Sequence, residues 1–184
     1  LGEKLQKKAA FVYISNTNPK YMNEQNASYW ISLLNLQPHP EGGYYKEVFR
    51  SQQQVSRSGS PDVKQACTSI YYLLEADDYS GFHRIQSDEI WYFHKGMPLD
   101  IHVINTDGNH EVWELSDMPP TGNLSLVVPA GLWFAAEIPL KEGYTLVSCA
   151  VAPGFEFSEF EMADRKELQT RYPEHDELFA RLCR

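Results

Sequence analysis

A chain of 184 residues with 42% hydrophobic and 13% aromatic content can bury one sizeable core and is short of two ordinary domains. Its formal net charge of −9 excludes the basic footprint of a nucleic-acid binder and disfavours attachment to an anionic membrane surface. No apolar run approaches the roughly 20 residues of a membrane helix, and three scattered cysteines without a C-x-x-C pair (Cys67, Cys149, Cys183) fit a reducing, cytoplasmic setting.

Residues 1–25 are polar and read as an arm with at most one short strand, Ala10 to Ile14. Asn26-Ala27-Ser28 is a helix start, and Trp30, Ile31, Leu33 and Leu34 give the helix its apolar stripe. Pro38 and Pro40 are expected to end it. After the turn His39-Pro40-Glu41-Gly42-Gly43, Tyr44 to Arg50 alternates as a strand, with Tyr45, Glu47 and Phe49 on one face. Ser51 to Asp62 reads as a surface loop, and Thr68 to Leu74 as a strand broken by Asp77-Asp78.

The stretch Gly81 to Gly96 organises the rest. It reads as a hairpin whose strands join at the polar turn Gln86-Ser87-Asp88. Alternation puts His83 and Ile85 on one face, and Glu89, Trp91 and Phe93 on one face. If both look inward, a histidine and a carboxylate meet in an aromatic-walled cavity, the default small-molecule site. Leu99 to Asn105 and Glu111 to Leu115 flank the hairpin turn Thr106-Asp107-Gly108-Asn109. Leu124 to Val128, Leu132 to Ile138 and Tyr144 to Val151 are further strands, with a short edge strand within Phe155 to Met162. Asp164 caps a helix from Arg165 to Arg171, with Glu167 three residues on, and Glu174 to Leu182 forms another. Many short strands with frequent turn signals indicate an all-β sandwich or barrel, its helices at the two ends. His94, His102 and His110 fall on outward or turn positions and read as surface residues. The acidic run from Glu174 to Glu177 reads as a solvated helix face.

This pattern resembles the cupin superfamily, a double-sheet jelly-roll barrel. In the first cupin motif, G-x5-H-x-H-x3,4-E-x6-G, His83, Glu89 and Gly96 match. Ile85 stands at the second histidine and Asp77 at the leading glycine. The second motif, P-x-G-x-x-H, matches Pro129-Ala130-Gly131-Leu132-Trp133 and ends on Phe134 instead of histidine. A finer resemblance is to a small, functionally uncharacterised cupin subfamily. It rests on His39-Pro40-Glu41-Gly42-Gly43-Tyr44-Tyr45, Arg50-Ser51, Ser69 to Leu74, Asp88-Glu89-Ile90-Trp91, Val128 to Trp133 and Ala152 to Phe157. The resemblance implies a jelly roll over 26–163, between an arm at 1–25 and a helical tail at 164–184.

Metal-binding cupins use three histidines and a carboxylate. With Ile85 and Phe134 in two of those positions, no resident metal is expected unless Gln86, Glu41 or Glu47 substitutes. Without a metal, His83 and Glu89 form a candidate acid–base pair, since imidazole titrates near neutral pH. Related metal-free epimerases use a pocket histidine with a tyrosine as acid, which implies that role for His83 and makes Tyr45, Tyr72 and Tyr144 candidates. The alternative is that His83 bonds Glu89 or a carbonyl and only seals the barrel. Trp91, Phe93 and Phe134 either stack on a cyclic ligand or form core, with Trp133 able to exchange with Phe134 through a one-residue irregularity. Gln86 and Tyr72 are further ligand-binding candidates, and Glu47 is a buried acid or part of a solvated strand. The expected function is binding of a small polar or cyclic metabolite, as an epimerase- or isomerase-like enzyme on a sugar-like substrate. A non-catalytic binding module and a divalent-metal enzyme are the alternatives. A homodimer is expected, because sandwich edges need cover and two-fold pairs are the commonest assemblies.

Overall fold

Asn26 accepts a hydrogen bond from the Tyr29 N–H through its side chain (2.9 Å) and so starts α1 (Ala27–Leu34). In this computed structural model, residues 25–59, 61–118, 120 and 122–184 are described; the strand expected at Ala10 to Ile14 lies outside them. The prolines do not end α1. Asn35 does, in the left-handed conformation (φ 54°), which its short amide side chain tolerates.

Among the described residues the strands form two main sheets. The first has the order β1 (Gln37–Pro38), β2 (Tyr44–Arg50), β5 (Thr68–Glu75), β12 (Tyr144–Ala152), β7 (Asp88–Gly96), β10 (Ser125–Val128). The second runs β13 (Phe160–Met162), β6 (Tyr79–Ile85), β11 (Trp133–Glu137), β8 (Leu99–Ile104), β9 (His110–Leu115). All their ladders are antiparallel, which gives a jelly-roll sandwich with helices at both ends of the chain. The stretch expected to be a loop holds β3 (Gln54–Ser56), which pairs with β4 (Val63–Gln65) as a small separate hairpin.

The central stretch is not a hairpin. β6 and β7 belong to opposite sheets, and Gln86-Ser87 carries the chain across the sandwich. His83 lies beside Phe134 of β11, whereas Glu89 lies between Val128 of β10 and Val151 of β12. Alternation dictates which side chains turn inward but does not name the neighbouring strand. Inward side chains of facing sheets interdigitate, so His83 and Glu89 enter one interior from opposite walls.

That interior is filled by Tyr72, Leu74, Trp91, Ile101, Val103, Leu115, Phe134 and Val147. The outer face of the second sheet is covered by α2 (Arg165–Arg171) and α3 (Asp176–Leu182), through Leu168, Leu178, Phe179 and Leu182 against Phe82, Ile104 and Trp133. As expected, the Asp164 side chain caps α2 by accepting the Glu167 N–H. The helical cover corrects the reading of His102. It does point away from the sandwich, but it is buried beside Glu137, with its Nδ1 2.9 Å from His110 Nε2. Burial, with Arg181 nearby, pushes its pKa down to about 4. No helix among the described residues is long and apolar enough to cross a membrane.

Candidate functional site

A cavity of about 320 Å3 opens at one end of the sandwich. Its floor carries His39, Glu41, His83 and Glu89, and its walls and mouth carry Tyr45, Glu47, Arg50, Phe155, Phe157 and Phe160. The volume lies within the range of small-ligand pockets.

Glu41 is carried inward by the turn between β1 and β2. Gly42 and Gly43 have φ of 116° and 67°, the left-handed region that glycine adopts without penalty. A Cβ at Gly42 would collide with the Tyr79 carbonyl. The turn is tied down at three points. The Gly81 N–H donates to Glu41 O (2.8 Å), the Tyr72 hydroxyl to Gly42 O (2.8 Å), and the Gly43 N–H to Asp78 Oδ2 (2.8 Å).

These bonds assign protons. His83 Nδ1 lies 2.8 Å from the Gly81 carbonyl, which can only accept, so Nδ1 carries a hydrogen. Its Nε2 then faces Glu41 Oε2 at 3.3 Å. His39 has the other tautomer. Its Nδ1 accepts the Glu41 N–H (3.3 Å), which leaves the proton on Nε2, and burial lowers its pKa despite Glu41. Glu89, 8% exposed, has no charged partner among the described residues. Burial and the nearby Glu41 charge push its pKa up to about 8, with the Cys149 thiol and the Trp91 indole opposing weakly. At neutral pH the floor therefore holds, beside the His83–Glu41 pair, an acid that has kept its proton.

Of the residues expected at the site, His83, Glu89, Tyr45 and Glu47 line the cavity. His83 and Glu89 do not pair with each other; Glu41 stands as the partner of His83. Trp91, Phe134 and Tyr72 are core, at 1%, 0% and 1% exposure. Phe134 packs behind the His83 ring at 4.1 Å. Phe93 packs at the edge of the core, and Gln86 is exposed at the crossover. None of these five lines the cavity. Trp133 points the opposite way, onto the helices, with the Arg84 guanidinium 4.4 Å from its ring. Of the candidate tyrosines only Tyr45 lines the cavity, in edge contact with His39 at 4.5 Å. The Tyr144 hydroxyl is taken by the Trp30 indole at 2.8 Å. Phe49 does not share the face of Tyr45 and Glu47. An irregularity in β2 between Glu47 and Phe49 turns it outward, 53% exposed.

Sequence reasoning treated His39 only as part of a turn motif and Glu41 as part of that turn or a substitute metal ligand, and missed Arg50 and the three phenylalanines as site residues. Their signal was present, since Glu41 precedes two glycines and Phe155, Phe157 and Phe160 fall in one short run. Arg50 grips both carboxylate oxygens of Glu47 (3.0 and 2.7 Å) and reaches Glu156 (3.2 Å), so its charge is spent within the mouth.

The run carrying Phe157 and Phe160 is pinned to the β3–β4 hairpin through Glu159. This carboxylate takes Arg57 at 2.6 and 2.8 Å and also pairs with Lys64. The Arg57 hydrogen bonds, chiefly, hold its pKa down at about 2 against an ordinary 4.5. A lowered carboxyl pKa stabilises the fold fully above about 4.5, and the gain is lost as pH falls towards about 2. Glu159→Ala should therefore cost about 1–3 kcal/mol at pH 7. Urea melts at pH 7 and pH 2 check this; an equal cost at both would show that the pairs contribute nothing.

A metal does not fit this floor. Ile85 and Phe134 stand where the cage of metal-binding cupins has histidines, and both His83 nitrogens are engaged. No group of three His, Cys, Asp or Glu among the described residues converges on a point that could hold an ion.

A double-sheet jelly roll with a ligand-sized cavity at one end is the architecture of a cupin. A sequence profile described as Cupin superfamily (DUF985) matches residues 28–163, and the chain belongs to that family. The uncharacterized protein YML079W of Saccharomyces cerevisiae is 29% identical over 165 residues, 82% of this chain and 80% of its own length. Protein SO0799 from Shewanella oneidensis superposes with a TM-score of 0.79 at 36% identity, over 87% of this chain and 98% of that one. A hypothetical protein from Leishmania major gives 0.80 at 34% identity, over 86% and 98%.

Proposed function

We propose that the chain binds a small polar, cyclic molecule in this cavity and moves a proton on it, in an isomerase- or epimerase-type reaction. Glu41 and His83 act together as the base, and Glu89 is the acid. The observation that carries this reading is the close approach of His83 Nε2 to Glu41 Oε2 (3.3 Å), beside a Glu89 that keeps its own proton to about pH 8. His83 is not the lone base that the sequence pointed to. Its nitrogens are spent on Gly81 O and Glu41, so the base reaches a substrate through the Glu41 carboxylate. Tyr45 is the remaining phenol within the cavity and a candidate second donor. The test is a thermal-shift screen of sugars and cyclic nitrogen compounds, followed by incubation of each hit in D2O. Deuterium entering the ligand at carbon is the expected result, and binding without any exchange ends the catalytic claim.

The same engagement of His83 favours a second reading, a binding module without turnover. A rigid, fully bonded histidine shapes a pocket as well as it catalyses. The exchange experiment separates the two.

We also infer a homodimer through the outer face of the first sheet. Cross-strand partners share a face, and the rows Val127–Ile90–Ala150–Ser69–Phe49 and Ser125–Tyr92–Ser148–Tyr71 are free of carboxylates and ammonium groups apart from Lys46 at the end. Val127, Tyr92 and Phe49 are exposed. Light scattering should return about twice 21.1 kDa, and Tyr92→Asp should shift the mass towards the monomer. A wild-type mass near 21.1 kDa would overturn the dimer.

A further inference from the structure

The charges around the cavity are unbalanced. Four carboxyl groups line it, Glu41, Glu47, Glu89 and Glu156, against one guanidinium, Arg50. Arg50 is consumed by Glu47, Glu156 and the Phe155 carbonyl (3.4 Å), which leaves no free guanidinium or ammonium among the described residues that line the cavity. Glu41 has the His83 imidazole against it, Nε2 to Oε2 at 3.3 Å. Glu89 is not balanced: it is more than nine-tenths buried, lines the cavity, and pairs with no cationic group of a described residue, its polar neighbours being the Trp91 indole and the Cys149 thiol. A buried carboxyl without a counter-charge is costly to leave ionised, and a cation placed against it offsets that cost.

The walls point the same way. Phe155, Phe157 and Phe160 meet nearly edge to face, with ring centroids 5.0 to 6.2 Å apart and interplanar angles of 69° to 80°. Aromatic faces attract organic cations through the ring quadrupole and are indifferent or repulsive to anions. Tyr45 and the neutral His39 extend this wall towards the floor.

Resting on the reading of this cavity as a small-molecule site, we infer that its ligand is a small cyclic nitrogen base bound as its cation, an amidine or ring amine whose N–H groups face Glu89. A neutral base entering the cavity takes the Glu89 proton onto its nitrogen; the O–H bond breaks, an N–H bond forms, and a carboxylate–cation pair is left. A base that is already cationic displaces the same proton to solvent and is held as a ligand without turnover, because Glu89 then has no proton to donate. An anionic sugar phosphate finds no free cationic partner among the described residues that line the cavity.

Three isosteric probes test the inference on the intact protein: benzamidine (cationic), benzamide (neutral) and benzoate (anionic). Binding is read by calorimetry and located by the Trp91 indole signal in NMR spectra, because Trp91 lies beside Glu89. Benzamidine should bind at least roughly tenfold more tightly than benzamide, and benzoate should not bind. Its binding should release a proton at pH 7, seen as a heat that depends on the ionisation enthalpy of the buffer. Glu89→Gln should weaken benzamidine roughly 30-fold or more, abolish the proton release, and leave benzamide unchanged. If that variant does not fold, the ranking of the probes on wild type decides. Benzamide or benzoate binding as tightly as benzamidine would overturn the cationic class while leaving the cavity as a ligand site. No response to any probe at millimolar concentration, together with no hit in the wider screen, would overturn both.

Discussion

Glu41→Gln should slow deuterium exchange into a bound substrate by roughly 100- to 10,000-fold, the usual cost of losing a general base. The fold should survive, because the bonds that hold the turn come from the Glu41 carbonyl, the Gly42 carbonyl and the Gly43 N–H, all backbone groups. His83→Asn should lie in the same range, since it removes the imidazole that faces the Glu41 carboxylate. If the two act as one unit, the double variant should be little slower than either single one. The rate should also fall as pH rises through about 8, where Glu89 loses the proton it donates. Glu89→Gln should remove that limb along with most of the rate. Exchange that proceeds at the wild-type rate in Glu41→Gln would show that Glu41 only shapes the cavity.

Phe134→Ala should cost about 3–5 kcal/mol of stability, a large part of the ~5–15 kcal/mol that holds a typical domain together. Its ring is wholly buried, contacts the His83 ring at 4.1 Å and lies 6.4 Å from Trp91, so its removal leaves a void between the sheets. Urea denaturation at constant slope is the measurement. Because the void lies directly behind His83, exchange activity should fall even where the variant is fully folded. A loss below about 1 kcal/mol would mean that neighbouring side chains close the gap.

Local patterns carried much of this. The strands Tyr44 to Arg50, Thr68 to Leu74 and Tyr144 to Val151 were legible from alternation and turn residues, as were the Asn26 and Asp164 caps. So was the inward side of His83, Glu89 and Trp91, because side-chain direction in a strand depends on position alone. The missing cage histidines at Ile85 and Phe134 could be read directly.

What tertiary structure decided is which inward residues meet. β6 and β7 follow each other in sequence yet lie in opposite sheets, so Glu89 faces His83 across the interior instead of pairing with it. The partner of His83 comes from Glu41, 42 positions earlier, delivered by a turn whose two glycines advertised a bend and not a destination. Single-residue irregularities are equally invisible to a period of two. One in β2 sends Phe49 to the outer face, and the register that puts Phe134 behind His83 sends Trp133 to the helices. His102 was read correctly as pointing away from the sandwich and wrongly as exposed, because a helix beginning at Asp176 covers it. Direction is local, set by the backbone of each strand. Neighbourhood is not, because it depends on where segments far apart in the chain are brought together.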